Sequence, residues 1–486
     1  MSNRFLLFVF VFVFAVTEMF PQFYRSAGMG GLTYSIKDNH YSLSIYDFGK
    51  NPAGLYEDEL TSQLSAAPSV SNTWGGYRRK YDPQGDHLYN IGFTGIKTLG
   101  SSGTFYGHTS YSYDERSDMA NNLKYNPYRG EGFFSNDTST GNIKYDGPKV
   151  VFMYSLEILP DLYFGASADY QILTGLKRIY SYAEVTYRDV IGKAGLAYKF
   201  SDAFILGSTI EVFDSQESMS CSNIDLTEVE IWNYRGENYA IRQRGSTVDQ
   251  KMKSTGTAAG LQAYFIPLSK LEVGFSGNYS AYNSKSLVSR TGLIEFEDSY
   301  ASFEDYNCKI QAKYNPIEAL IIGINGGYYY NSSWTRNTPM NLKIWDWNLK
   351  ETVAGAGASY SFISNCLLAG FEYEFSKTKA DSSKFIDNRY TAPESNNHQI
   401  RAGVEYQYSE DLIFRAGFNY KTAQIDFITG GKDAVSSAYT FGVCLRYFDA
   451  TEINFNASYG DIYSKDNSSL KRKNFSSFVE VKLFSF

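Results

Sequence analysis

"TEINFNASYG", Thr451 to Gly460, separates into two faces when it is read as a strand. Ile453, Phe455, Ala457 and Tyr459 fall on one side, and Glu452, Asn454, Asn456 and Ser458 on the other, because successive strand side chains point to opposite faces. The alternation recurs along the chain. Leu271, Val273 and Phe275 oppose Glu272, Gly274 and Ser276; Leu367, Ala369, Phe371 and Tyr373 oppose Gly370, Glu372 and Glu374; Leu412, Phe414, Ala416 and Phe418 oppose Arg415, Gly417 and Asn419. One face suits hydrocarbon and the other water.

Such segments, each of about ten residues, come in pairs joined by very short turns. The turns fall at 99–103, 159–161, 200–203, 266–270, 315–318, 363–365, 409–411 and 448–450, and each carries Gly, Pro, Asn, Asp or Ser, the residues that tight hairpins need. These pairs, with one segment near 60–70 and another near 475–486, make about eighteen strands, within a range of about 14 to 18. The longest intervening stretches are 115–147 and 214–252. In hydrocarbon every backbone polar group must be paired internally, so strands can cross a bilayer only as a closed cylinder. The expected fold is therefore all-β: a transmembrane antiparallel β-barrel of the bacterial outer membrane, with short periplasmic turns, long extracellular loops and both termini periplasmic. A soluble sandwich also has an apolar inner face, but it does not explain short turns alternating with long loops.

Composition agrees. Aromatic residues make up 17% of the chain, with 42 Tyr and 35 Phe, while charged residues stay at 20%, so strand-forming side chains abound in a polar chain. A net charge of −7 argues against nucleic acid as a partner. Cys221, Cys308, Cys366 and Cys444 are too scattered for a disulfide or metal framework; Cys221 is expected in a long loop, Cys366 in a turn, Cys308 facing lipid and Cys444 facing the lumen. The start, "MSNRFLLFVFVFVFAV", has one Arg and then an apolar run too short to span a bilayer, so 1–17 reads as a signal peptide, 18–59 as a periplasmic or plug segment and 60–486 as the barrel.

A ring of about eighteen strands is about 36 Å across, too wide for side chains to fill. Water or a plug must occupy it, the candidates for a plug being 18–59 and the two longest loops. The expected lumen-facing charges include Lys193, Lys309, Lys313, Glu372, Glu374, Arg401, Glu405, Arg415, Arg446 and Glu452. They either pair across neighbouring strands or form a constriction that selects solutes. The leading functional expectation is a channel or passive transporter for small solutes. The alternative is a non-conducting barrel serving a neighbouring outer-membrane uptake or secretion complex. Outer-membrane lipid and the barrel-assembly machinery are expected partners. Catalysis is not expected: of the four histidines, His40, His87, His108 and His398, only His108 sits mid-strand beside hydroxyls, and its parity points inward. No motif calls for a cofactor or a metal.

"GMGGLTYSIKDNHYSLSIYDFGKNPAGLYEDEL", and within it "NPAGL" at Asn51 to Leu55, resembles the amino-terminal region of FadL-type outer-membrane transporters. The resemblance implies that Asn51, Pro52, Ala53 and Gly54 belong to a plug, and in that family the cargo is hydrophobic. The family usually has fourteen strands and an apolar path, so the plug transfers more readily than the cargo. The whole pattern also looks like large barrels of Bacteroidota-type outer membranes. The aromatic end, Phe486, resembles the signal read by barrel-assembly machinery. Val479, Val481 and Leu483 alternate outward, which turns Phe486 inward, and a β-bulge near Phe484 is expected to correct this.

Overall fold

The structure is a computed structural model that describes residues 51–55, 62–100, 103–119, 122–137, 139–178, 182–222, 228–236, 239–290, 294–317, 319–362, 366–425, 432–447 and 451–484. The expected signal peptide, most of the expected plug segment and Phe486 lie outside these residues. The strands, in chain order, are β1 (Gln63–Gly75), β2 (Gly85–Thr98), β3 (Thr104–Met119), β4 (Phe133–Asn136), β5 (Gly141–Leu159), β6 (Leu162–Lys177), β7 (Tyr182–Ser201) and β8 (Phe204–Ser222). Then come β9 (Val229–Arg235), β10 (Tyr239–Gly245), β11 (Thr247–Leu268), β12 (Leu271–Arg290), β13 (Ile294–Ile317), β14 (Leu320–Asn337) and β15 (Leu342–Phe362). The last are β16 (Leu367–Lys384), β17 (Arg389–Thr391), β18 (Glu394–Gln407), β19 (Leu412–Ile425), β20 (Lys432–Tyr447), β21 (Thr451–Ser464) and β22 (Lys471–Phe484).

Eighteen of them pair antiparallel in sequence order, and β1 pairs with both β2 and β22, which closes the cylinder. A closed ring excludes the sandwich. β17 only extends the top of β16, while β4, β9 and β10 form a separate sheet of three strands. Ile453, Phe371, Phe414 and Phe275 are exposed, whereas Glu452, Glu372, Arg415 and Ser276 on the alternate positions are buried. The apolar face is thus outside and the polar face inside.

The wall is longer than the alternation suggests: strands run to 24 residues, as in β13. Outward positions become charged at Arg188, Asp214, Lys253 and Lys285, and a charge on the lipid face costs about 2–4 kcal/mol at mid-bilayer, so the membrane ends at or below this line. β7 and β8 continue beyond it to Tyr182 and Ser222, lifting the wall by about 20 Å above the lipid. Cross-strand pairs such as Arg188–Asp214 and Lys285–Glu297 decorate this collar. Much of what reads as loop at 115–147 and 214–252 is therefore strand, and Cys221 is not in a loop but buried in β8. Cys308 is exposed and Cys444 buried, each on its expected face.

The bulge expected near Phe484, which would turn Phe486 outward, falls at residues 485–486 and lies outside the described residues. Up to the last described residue, β22 keeps one register against β1, from Ser69↔Phe478 to Gln63↔Phe484. Strand pairing on both sides, to β1 and β21, holds the ladder straight to Phe484.

Candidate functional site

The inward face near the short-turn rim carries charges that meet their partners directly across the ladder. Lys193 faces Glu211 at 2.8 Å, Lys313 faces Glu272 at 3.0 Å, and Arg401 reaches Glu372 at 3.2 Å and Glu374 at 3.6 Å. Arg415 holds Glu405 at 3.0 Å, and Glu452 takes Arg446 and Lys482, each at 3.3 Å. Lys309 shares this face, in register with Ser276 and Gly327. Pairs directly opposite in a ladder stiffen it and cancel each other's charge. His108 also points inward and shares a 2.8 Å hydrogen bond with Thr94.

Asn51 to Leu55 sits on the inner wall of β5 to β8 and β11, fully buried, with Pro52–Leu55 coiled into one 3-10 turn. The Asn51 amide Nδ2 donates to the carbonyl of Leu196 at 3.0 Å, to that of Ser208 at 3.3 Å and to Gln262 Oε1 at 3.1 Å. Its Oδ1 accepts the Ala53 N–H at 3.0 Å, and Ser155 Oγ donates to the Ala53 carbonyl at 2.8 Å. The wall makes room with glycine: Gly165 and Gly195 are cross-strand partners. A Cβ on Gly165 would lie 2.3 Å from Ala53 N, and one on Gly195 would lie 2.0 Å from Asn51 Oδ1. Tyr163, Ala197, Ile205 and Tyr264 close the seat with apolar surface around Ala53.

At the other rim the stretches between β3 and β5 and between β8 and β11 fold inward as a cap. Its frame is the sheet β10–β9–β4, with β9 pairing both neighbours. Alternation explains its orientation: Val229, Ile231, Asn233 and Arg235 are buried together. Val229, Ile231 and Leu123 pack on Met119, Tyr145, Val185, Met219 and Cys221 of the wall. Across the lumen Arg235 bonds Asp298 on β13, and Lys177 on β6 holds Asp137 at 2.7 Å. Tyr81, between β1 and β2, meets Phe134 at 4.6 Å between ring centroids.

One short segment of the cap is more tightly fitted than the rest. Gly130 and Gly132 have φ of 91° and 66°, a backbone that only glycine adopts freely. A Cβ on Gly132 would lie 2.5 Å from the Trp345 ring, and one on Gly130 would lie 3.0 Å from the Phe303 ring. Between them the buried Glu131 carboxylate takes Lys124 at 2.9 Å and Arg129 at 3.8 Å, with Ser284 Oγ at 3.5 Å. Burial alone would raise the Glu131 carboxyl, but Lys124 and Arg129 outweigh it and hold the group below its ordinary value. A depressed carboxyl contributes stability above the free pKa, about 4.3, and that stability is lost as the pH falls through the lower, docked value. Acidification from pH 7 towards pH 3 is therefore expected to loosen the cap, read as a change in the fluorescence of Trp345 and Trp347. Glu131→Gln should flatten the pH dependence.

The cap frame and the glycine seat are not among the residues expected from sequence. "VEIWNYR" at Val229 to Arg235 does carry the strand period, and "GEG" at Gly130 to Gly132 marks unusual backbone. The pairing of Gly165 with Gly195, and of both with Asn51, leaves no local trace.

Residues 52–333 match the model of a family of unknown function, DUF6850, and residues 238–462 match one described as a putative outer membrane β-barrel porin, MtrB/PioB. No curated protein matches the chain. Similar solved structures include the toluene transporter TbuX of Ralstonia pickettii, 12% identical, covering 95% of this chain and 97% of that one, TM-score 0.38. A FadL homologue of Pseudomonas aeruginosa is 11% identical, covering 97% of this chain and 99% of the other, TM-score 0.38. The siderophore receptor PiuA of Acinetobacter baumannii is 10% identical, covering 87% and 82%, TM-score 0.43. No residue role is carried over from them.

Proposed function

The chain belongs to a family of unknown function, DUF6850, and we propose that it is a channel or passive transporter of the bacterial outer membrane for small polar solutes, with a lumen narrowed from both rims. In this reading the short turns and both termini face the periplasm, while the collar and cap face outward. The observation that carries it is the inner wall: a ring about 36 Å across whose inward face is polar, with charges neutralised in pairs from Lys193–Glu211 to Arg446–Glu452. Hydrated solutes can pass such a wall, and ions of either sign find little net field along it. Asn51, Pro52, Ala53 and Gly54 anchor the amino-terminal segment to the inner wall, and the segment they anchor acts as the plug. Phe486 serves assembly.

Flux into proteoliposomes tests the reading. Solutes of a few hundred daltons should enter vesicles holding the full chain faster than empty vesicles, and large dextrans should stay out. Entry no faster than in empty vesicles for every small solute would overturn the channel and favour a barrel that serves a neighbouring complex.

A further inference from the structure

On the outer face of β15 and β16 the apolar surface ends in a group of lysines. Outward residues are apolar or aromatic from Leu367 through Phe371 to Phe375 on β16, and from their partners Phe362 through Ala358 to Ala354 on β15. At about 3.3 Å per residue and a tilt of about 40°, this stretch rises by about 20 Å, most of a lipid-facing band about 25 Å tall. The next outward pair is Thr352 with Lys377, and the one above it is Lys350 with Lys379. Three ammoniums therefore stand in the first two rows above hydrocarbon, the level of lipid headgroups.

The wall does not neutralise this group. Lys350 and Lys379 are direct cross-strand partners, and like charges so placed destabilise a ladder. Glu394, the partner of Lys379 on β18, takes Lys377 at 3.1 Å and Lys379 at 3.8 Å, and Asp381 takes Lys379 at 3.7 Å. Two carboxylates thus serve three ammoniums. The excess charge is on Lys350, which is exposed, forms no ion pair among the described residues and lies over the Tyr330 ring at 5.6 Å. That ring is fixed in turn, its hydroxyl donating to Asn348 Oδ1 at 3.1 Å. A second pair of opposed lysines, Lys253 and Lys285, occurs on β11 and β12, but Thr255 and Thr257 separate Lys253 from the outward Ala259 below. It stands well clear of the apolar band.

We propose that Lys350, Lys377 and Lys379 hold a phosphate group of a phosphorylated lipid in the outer leaflet. A phosphate accepts from several donors at once, and its charge-assisted bonds to ammonium groups are among the stronger hydrogen bonds. Seated between Lys350 and Lys379, it turns the repulsion of that pair into a shared attraction. Lys377 and the Thr352 hydroxyl stand one row nearer hydrocarbon, where the acyl chains leave the headgroup. Those chains run down the face past Phe375, Tyr373 and Phe371, the last two exposed. Free phosphate lacks this second contact, so the surface selects a lipid. The choice of leaflet rests on the orientation proposed above, with the short turns in the periplasm; the phosphate contact does not.

Native mass spectrometry of the full chain, released from detergent micelles and titrated with diphosphoryl lipid A, tests the site. Lipid A should bind saturably, and the dephosphorylated lipid with the same acyl chains should bind at least tenfold more weakly. Lys350→Gln should weaken binding severalfold and the double variant Lys350→Gln, Lys379→Gln at least tenfold, while Lys350→Arg should restore it. Lys253→Gln, which breaks the other lysine pair, should leave it unchanged. Each variant is checked for barrel folding by heat-modifiable migration. Equal binding of the dephosphorylated lipid, unchanged binding in the folded double variant, or displacement of lipid A by inorganic phosphate would overturn the site. Tighter binding of phosphatidylglycerol than of lipid A would overturn the assignment to the outer leaflet. Solute flux through the double variant should match that of the wild-type chain, so the site and the channel stand or fall separately.

Discussion

Replacing both Gly130 and Gly132 with alanine is expected to undock the cap and raise the conductance of the barrel at least tenfold. Both residues have positive φ, where an L side chain costs about 1–2 kcal/mol. The added methyls would also press into Phe303 and Trp345, and overpacking a fitted site costs typically about 1–3 kcal/mol. Together the two sites remove about 4 kcal/mol or more from docking, roughly a thousandfold in its equilibrium. The wall does not depend on these residues, so the barrel should still form. The double variant should therefore migrate as a folded barrel while Trp345 and Trp347 become accessible to a soluble quencher. Unchanged conductance together with an accessible Trp345 would mean that the cap is not what narrows this rim.

Gly195→Val should unseat the amino-terminal anchor. No side chain fits where a Cβ would come within 2.0 Å of Asn51 Oδ1, and the wall strands cannot shift without breaking the pairing of β6, β7 and β8. Asn51→Ala should act in the same direction but more weakly. It removes the amide that bridges Leu196, Ser208 and Gln262, which leaves the Gln262 acceptor buried and costs about 1–3 kcal/mol. The readout is hydrogen exchange at the Ala53 and Gly54 amides, which bond to Asn51 in the seated state. Protection should fall by about tenfold in Asn51→Ala and by more than a hundredfold in Gly195→Val. Protection in β6 and β7 should remain. Equal loss throughout the barrel would instead mark a folding defect.

The number of strands and the position of each turn were legible because lipid imposes a strict period: wherever the outer face meets hydrocarbon, every second residue is apolar, as from Ile453 to Tyr459. Above the bilayer both faces meet water, so Arg188 and Asp214 break the alternation while the ladder continues past them. For this reason the strands read as shorter than they are, and Cys221 reads as a loop residue. Of the site, the charge pairs were visible as candidates, and the register turned them into partners. Asn51 to Gly54 stood out as a motif, whereas its receptor is defined only by what Gly165 and Gly195 lack.

Single-channel conductance in a planar bilayer tests the central claim most directly, by comparing the full chain with a variant that carries Gly130→Ala, Gly132→Ala and Gly195→Val. The wild-type barrel should pass only small currents and the triple variant large, steady ones, since a water-filled ring of this size is wide enough for an open pore. Large steady currents from the wild-type chain, indistinguishable from those of the variant, would contradict a lumen narrowed by its own cap and anchored segment.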